Sequence, residues 1–237
     1  MSSFALKLAA ACAMLTDHAA VAFMPYLPPH IYWSCRLVGR LAMPIYCCLI
    51  AEGMLKTGSK KRYLTRLAVF AVVSEIPFDL IVRRRLWDTT HQNVLFTLFF
   101  GLLGITLFDR FAQGNRRAEA LLSLLCCGFA ALALKTDYSI FGVYFVFVFY
   151  FSKGSPKTMT ALFVAGVLLL SSASLPDGGV MWAAVTLGHI AALPLLLRRS
   201  GARGFWRPWA QWAFYVFYPA HFLLLYALRS VWHYLGN

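Results

Sequence analysis

Read only for its hydrophobic and polar positions, the chain is a series of apolar runs cut by short polar joints. Nine runs, 4–24, 34–55, 64–82, 93–112, 119–135, 138–152, 158–175, 180–197 and 210–232, approach the ~20 residues that carry a helix across a bilayer. The joints PYLPPH, KTGSKK, QGNRR, KGSPK, PDGG and RRSGARGFWRP are rich in Pro, Gly and basic residues, as turns between helices are. The pattern predicts an all-α fold, a polytopic membrane helix bundle of about nine transmembrane helices, with residues 1–237 forming one integral membrane domain.

Composition agrees. The chain is 60% hydrophobic and 13% charged, where a soluble domain averages roughly 25% charged. Lys and Arg number 22 against 9 acids. The excess lies in the joints, so it predicts orientation and contact with anionic lipid, and no nucleic acid partner. With the N-terminus in the cytoplasm, Lys56, Lys60, Lys61, Arg62, Arg110, Arg116, Arg117, Lys153, Lys157, Arg198, Arg199, Arg203 and Arg207 all fall on the cytoplasmic side. Only Arg83, Arg84 and Arg85 fall outside, where headgroup phosphates or a partner would meet them. Six cysteines show no metal or redox spacing and read as small packing residues, so no metal is expected. Lys7 and the sequence Ala20-Val21-Ala22 also fit a cleavable signal peptide, but the apolar run continues through Phe23 and Met24 and holds an ionisable pair.

That pair, Asp17-His18, is the first of several polar groups where burial is expensive: an ionisable side chain at mid-membrane costs ~2.5–3.5 kcal/mol on insertion scales. His18 follows Lys7 by eleven residues, which places the two about 20° apart around a helix and ~16 Å apart along it. Asp17 points about 100° away and needs a neighbour on another helix. The second run offers Arg36 and Arg40 on one face, either of which also needs an acceptor. Further along stand Glu75 and Asp79 around Pro77, His91-Gln92-Asn93 at the mouth of a run, Asp137-Tyr138 between two runs, and Tyr218, Pro219 and His221 inside the last. His18, Arg40, Glu75, Asp79, Asn93 and Asp137 fall in the middle or outer half of the membrane under this topology. Lys7 and the basic loops face the side from which an anionic cofactor approaches.

The ordered series Lys7 to Asp17-His18, GRLAMPIY (39–46), SEIPFDL (74–80), QNVLFTL (92–98), DYSIFGV (137–143) and FYPAHFLLLY (217–226) resembles the TraX family, named for the acetylase of F-type conjugative pilin. The spacing of Lys7 and His18 is also similar to the basic-X10-His signature of integral membrane acyltransferases. The resemblance implies a bacterial inner-membrane N-acetyltransferase that moves acetyl from cytoplasmic acetyl-CoA to a pilin-like or other small membrane peptide. By that analogy His18 is the catalytic histidine, Lys7 lies on the cofactor path, and Arg40, Asn93, Tyr218 and His221 shape the site. With the polar residues read above, the expected set is catalytic His18, Asp17 and His221, cofactor-binding Lys7 and Arg40, and site-shaping Asn93, Tyr218, Glu75, Asp79 and Asp137. Where the family has Tyr-Gly this chain has Tyr138-Ser139, which leaves that loop's role open. Either histidine is a candidate base. Buried His, Asp, Glu and Arg also build the ion paths of a proton-coupled permease, and a non-catalytic component of pilus or peptide export is a third reading.

Overall fold

A computed structural model describes residues 1–172, 179–205 and 207–235. The helices are α1 (Ser3–Ala22), α2 (Pro29–Gly39), α3 (Ala42–Lys56), α4 (Lys60–Val73), α5 (Glu75–Phe78), α6 (Val94–Gln113), α7 (Arg117–Ala133), α8 (Ser139–Phe151), α9 (Pro156–Ser172), α10 (Gly179–Ile190), α11 (Leu193–Leu197) and α12 (Pro208–Leu235). A π-helical turn, Asp79–Arg83, follows α5. The predominance of helix follows from apolar composition, because in hydrocarbon each backbone N–H and C=O must bond within its own segment. Five segments among the described residues are long and apolar enough to cross a membrane: Ser3–Ala22, Pro29–Lys56, Val94–Gln113, Gly179–Leu197 and Trp212–Leu235. They mark the chain as a membrane protein. α8 and α9 are apolar but shorter. The expected PDGG joint and the end of the 158–175 run fall on 173–178, outside the described residues.

Three expected runs are interrupted, each with a proline at the break. In 180–197 Pro194 has no N–H for the carbonyl of Ile190, where α10 ends before α11. Pro44 has no N–H for the carbonyl of Arg40, and the helix turns at Arg40–Leu41 between α2 and α3. Pro77 likewise leaves the carbonyl of Val73 without its helical donor, and α4 stops at that residue. The 64–82 run is therefore α4, one short turn and the π turn, with Glu75 and Asp79 in the broken part.

The helices gather into two compact units. Unit 1 comprises Met1–Ile45, Val73–Asp88 and Val167–Asn237; unit 2 comprises Tyr46–Val72 and Thr89–Gly166. In unit 1, α1 packs against α2 and α12, α2 against α10, and α5 with its π turn against α12. The π turn closes a clasp: Asp79 Oδ2 accepts the Asp88 N–H at 2.7 Å, and Arg83 Nε donates to Asp88 Oδ2 at 3.3 Å. Of the basic triplet, Arg83 thus belongs to the clasp, and Arg84 takes the left-handed φ of 56° that ends the turn.

Unit 2 is built on α6, α7 and α8 packed on one another. Several of its polar residues hold helix ends. Asn93 caps α6 by accepting the Leu95 N–H at 3.0 Å and donates Nδ2–H to the Ala71 carbonyl at 2.8 Å. Gln92 and Thr136 form an isolated bridge, through Gln92 N–H to Lys135 O and Asp137 N–H to Gln92 O. Thr97 Oγ1 lies 2.8 Å from Thr136 Oγ1, and His91 Nε2 is 3.8 Å from Asp137 Oδ1. Asn93 is fully buried, so Asn93→Ala removes a cap and strands a buried carbonyl. Thermal unfolding in detergent is expected to show a loss of about 1–3 kcal/mol; a variant as stable as the parent contradicts this account of the residue.

Candidate active site around His18 and His221

Unit 1 brings two histidines together from positions 203 residues apart: His18 Nδ1 lies 2.7 Å from His221 Nε2. His18 belongs to α1 and His221 to α12, whose Pro219 leaves the Tyr215 carbonyl without its helical donor. A second contact sets the protons. His221 Nδ1 is 2.9 Å from the Phe217 carbonyl, and a carbonyl only accepts, so Nδ1 carries the hydrogen. With both rings neutral, His221 Nε2 is then an acceptor and His18 Nδ1–H donates to it. One nitrogen is left with its lone pair available, His18 Nε2. His18 is partly buried, whereas His221 is buried. The accessible base and the atom with the lone pair are the same residue.

Aromatic rings hold the pair. Phe217 stacks on His221 with centroids 4.9 Å apart, and Phe222 lies 4.4 Å from His18 and 4.2 Å from His221. Tyr218 meets His221 edge-on at 5.6 Å, and Phe78 backs Phe222. These rings restrict both imidazoles to a narrow set of orientations.

Asp17 is placed by two neighbours on α2. Arg36 Nη1 donates to Asp17 Oδ2 at 2.6 Å. Gly39 lies directly on it: a Cβ there would come within 2.3 Å of Asp17 Cβ and Oδ1. The same Asp17 oxygen stands 4.0 Å from His18 Nε2. That puts a carboxylate beside the nitrogen that would take up a proton, with Arg36 offsetting much of its charge. Gly188 on α10 fixes α2 from another side, since a Cβ there would lie 2.5 Å from the Leu37 carbonyl and 2.6 Å from Arg40 Cβ. Arg40 caps the end of α2 and, like Arg36, is near enough to His18 to act on it electrostatically.

The residues singled out from sequence divide accordingly. His18, Asp17, His221, Tyr218 and Arg40 gather in this part of unit 1. Lys7 lies farther along α1, its Nζ 5.6 Å from the Phe214 ring centroid. Glu75 on α5 and Asp79 on the π turn are buried in unit 1, with Asp79 engaged in the clasp. Asn93 and Asp137 belong to unit 2, where Asn93 spends both polar groups on backbone. Sequence reasoning passed over the aromatic box and His189, a fully buried histidine on α10 whose Nδ1–H donates to the Val185 carbonyl at 2.6 Å. The signal was an imidazole inside the 180–197 run. Among the described residues no cluster of three or more His, Cys, Asp or Glu is placed to hold a metal ion.

The family described as TraX protein matches residues 2–229. A relative, the probable fimbrial assembly protein FimC, serogroup H1, of Dichelobacter nodosus, is 32% identical over 243 residues, covering 94% of each chain. No solved structure matches. With one family's pattern running through nearly all of its length and a relative of matching extent, the chain belongs to the TraX protein family.

Proposed function

We propose that the chain is an integral membrane N-acetyltransferase, moving an acetyl group from acetyl-CoA to the amino group of a membrane-associated or exported peptide of the pilin kind. The carrying observation is the His18–His221 pair, which, with both rings neutral, leaves a lone pair on His18 Nε2 beside the Asp17 carboxylate. The relative's name, a probable fimbrial assembly protein, supports a pilus-related acceptor.

The chemistry asks little of the protein beyond proton transfer and charge placement. Acetyl-CoA supplies a thioester carbonyl. As the amine nitrogen bonds to that carbon and the carbon–sulfur bond breaks, His18 Nε2 takes the amine's proton and returns it to the departing sulfur. General-base help of this kind is worth roughly 10²–10⁴-fold. His221 holds His18 in the tautomer that can do this, and the Asp17 carboxylate 4.0 Å away stands beside the positive charge as it forms. Arg40 and Tyr218 are the nearby donors suited to an oxyanion, and Lys7 marks the path toward the basic end of α1.

The reading is tested by incubating purified protein with labelled acetyl-CoA and host membranes and identifying any labelled peptide. Label in a small membrane peptide is the expected result; substrate flux in proteoliposomes with no acetyl incorporation sinks it. His221 has its own test. His221→Gln retains an oxygen that accepts the His18 Nδ1–H, whereas His221→Ala does not. Alanine is expected to lower kcat on the order of 10²-fold, with glutamine recovering most of it. Equal losses in both variants would remove the orienting role.

A further inference from the structure

A guanidinium presents five N–H donors in a rigid fork, and the bond to Asp17 uses Arg36 through Nη1, at 2.6 Å. The Arg36 Nε–H is shut off from solvent and meets no acceptor among the described residues. A buried donor without an acceptor destabilises a fold. An oxygen arriving on a ligand would satisfy it.

Local structure fixes where that donor stands. Arg36 lies in the last turn of α2, and its carbonyl accepts the Arg40 N–H at 3.3 Å where the helix turns. Gly39, three residues on, lies bare against Asp17, and Gly188 of α10 lies bare against the Leu37 carbonyl. A Cβ at either glycine would push α2 away. The guanidinium is thus held by close packing on two sides of its helix, as a donor must be if it is to meet charge that forms only in the transition state.

Its neighbour is the proposed base. Asp17 Oδ2, the oxygen that accepts from Arg36, stands 4.0 Å from His18 Nε2, so guanidinium and imidazole flank a single carboxylate oxygen. Amide formation needs both groups at adjoining atoms. The amine nitrogen bonds to the thioester carbon as His18 Nε2 takes its proton, and the carbonyl π pair moves onto the oxygen, one bond from the carbon under attack. When the carbonyl re-forms, the carbon–sulfur pair leaves with sulfur, which then takes the proton from His18. An oxyanion donor keeps its own hydrogen throughout and acts from about 2.7–3.1 Å. Donor and base must therefore stand within a few atoms of each other, as Arg36 and His18 do.

We infer that Arg36 is a catalytic residue whose Nε–H receives the acetyl carbonyl oxygen as it becomes an oxyanion, while Asp17 holds the guanidinium through Nη1. The assignment rests on the acetyltransferase reading. Arg36→Lys separates it from a role in packing, because an ammonium still pairs with Asp17 and has no second donor edge. The parent, Arg36→Lys, Asp17→Asn and the double variant are assayed with labelled acetyl-CoA and saturating host membranes, and their thermal unfolding is followed in detergent.

Arg36→Lys is expected to unfold near the parent temperature, with a maximal rate lower by about 10²–10³-fold and a donor KM within about threefold of the parent. The fall persists in the Asp17→Asn background, where an amide oxygen still accepts but no carboxylate remains to be placed. A maximal rate in Arg36→Lys within about threefold of the parent overturns the inference and leaves the acetyltransferase reading standing. A loss that vanishes in the Asp17→Asn background overturns it too, because Arg36 would then act through Asp17. Should Arg36→Lys not fold, Arg36→Ala decides: restoration of the rate by methylguanidinium and not by methylammonium supports the contact, and restoration by both or by neither overturns it. A parent without acetyl transfer removes the reading and the inference together.

Discussion

His18→Ala is expected to lower acetyl transfer by roughly 10²–10⁴-fold, the contribution of a positioned general base, while leaving a folded, membrane-inserted protein. The loss should fall on kcat, because the imidazole acts on a proton that moves only as the bond forms. Folding should survive, since His18 contributes one hydrogen bond, to His221, and ring contacts that a smaller side chain gives up locally. Retention of most activity by the purified variant, with the parent active beside it, refutes His18 as the base. His18→Gln separates shape from chemistry. It restores much of the packing volume and offers no proton acceptor of comparable basicity, so it should stay as inactive as alanine.

The second large effect is on stability. Asp17→Leu strands the Arg36 guanidinium, whose side chain is 16% exposed, in a setting with little water. Breaking a buried pair from one side costs about 3–5 kcal/mol. Arg36→Leu should do the same from the other side. The double variant Asp17→Leu/Arg36→Leu should recover a large part of the loss, because replacing both partners of such a pair by apolar groups is often near neutral. Gly39→Val tests the shape of the contact without touching either charge: its Cβ would occupy the space of the Asp17 carboxylate, so α1 and α2 must separate. Thermal denaturation in detergent measures all four. Additive losses in the double variant would show that the 2.6 Å contact is incidental, and a Gly39→Val protein of parental stability would show that the helices are not closely packed there.

Much of this was legible in the sequence. The runs 4–24, 93–112, 180–197 and 210–232 are oily enough to announce helices, and the structure has membrane-length apolar segments there, at Ser3–Ala22, Val94–Gln113, Gly179–Leu197 and Trp212–Leu235. Lys7 and His18 share a helix at the spacing read from their numbers, and Asp17 does meet an arginine of the second run. The 64–82 run misled because average hydropathy ignores a missing amide: Pro77 stops α4 at Val73 and leaves Glu75 and Asp79 on a short turn and a π turn. Asn93, a site-shaping candidate in the sequence, makes buried contacts with Leu95 and Ala71 that are those of a cap. His189 escaped notice because a single imidazole in an apolar run has no spacing partner.

Sequence alone determined that the backbone is helical, since a chain this apolar has nowhere but itself to place its hydrogen bonds. It also determined which polar residues are costly enough to demand partners. Only the tertiary structure decided who those partners are. A helical repeat fixes the angle between two residues on one helix and says nothing of how a neighbouring helix is rotated or raised against it. Hence the choice of Arg36 for Asp17, the meeting of His18 with His221, and the lone pair left on His18 Nε2 depended on the packing of α1 against α2 and α12.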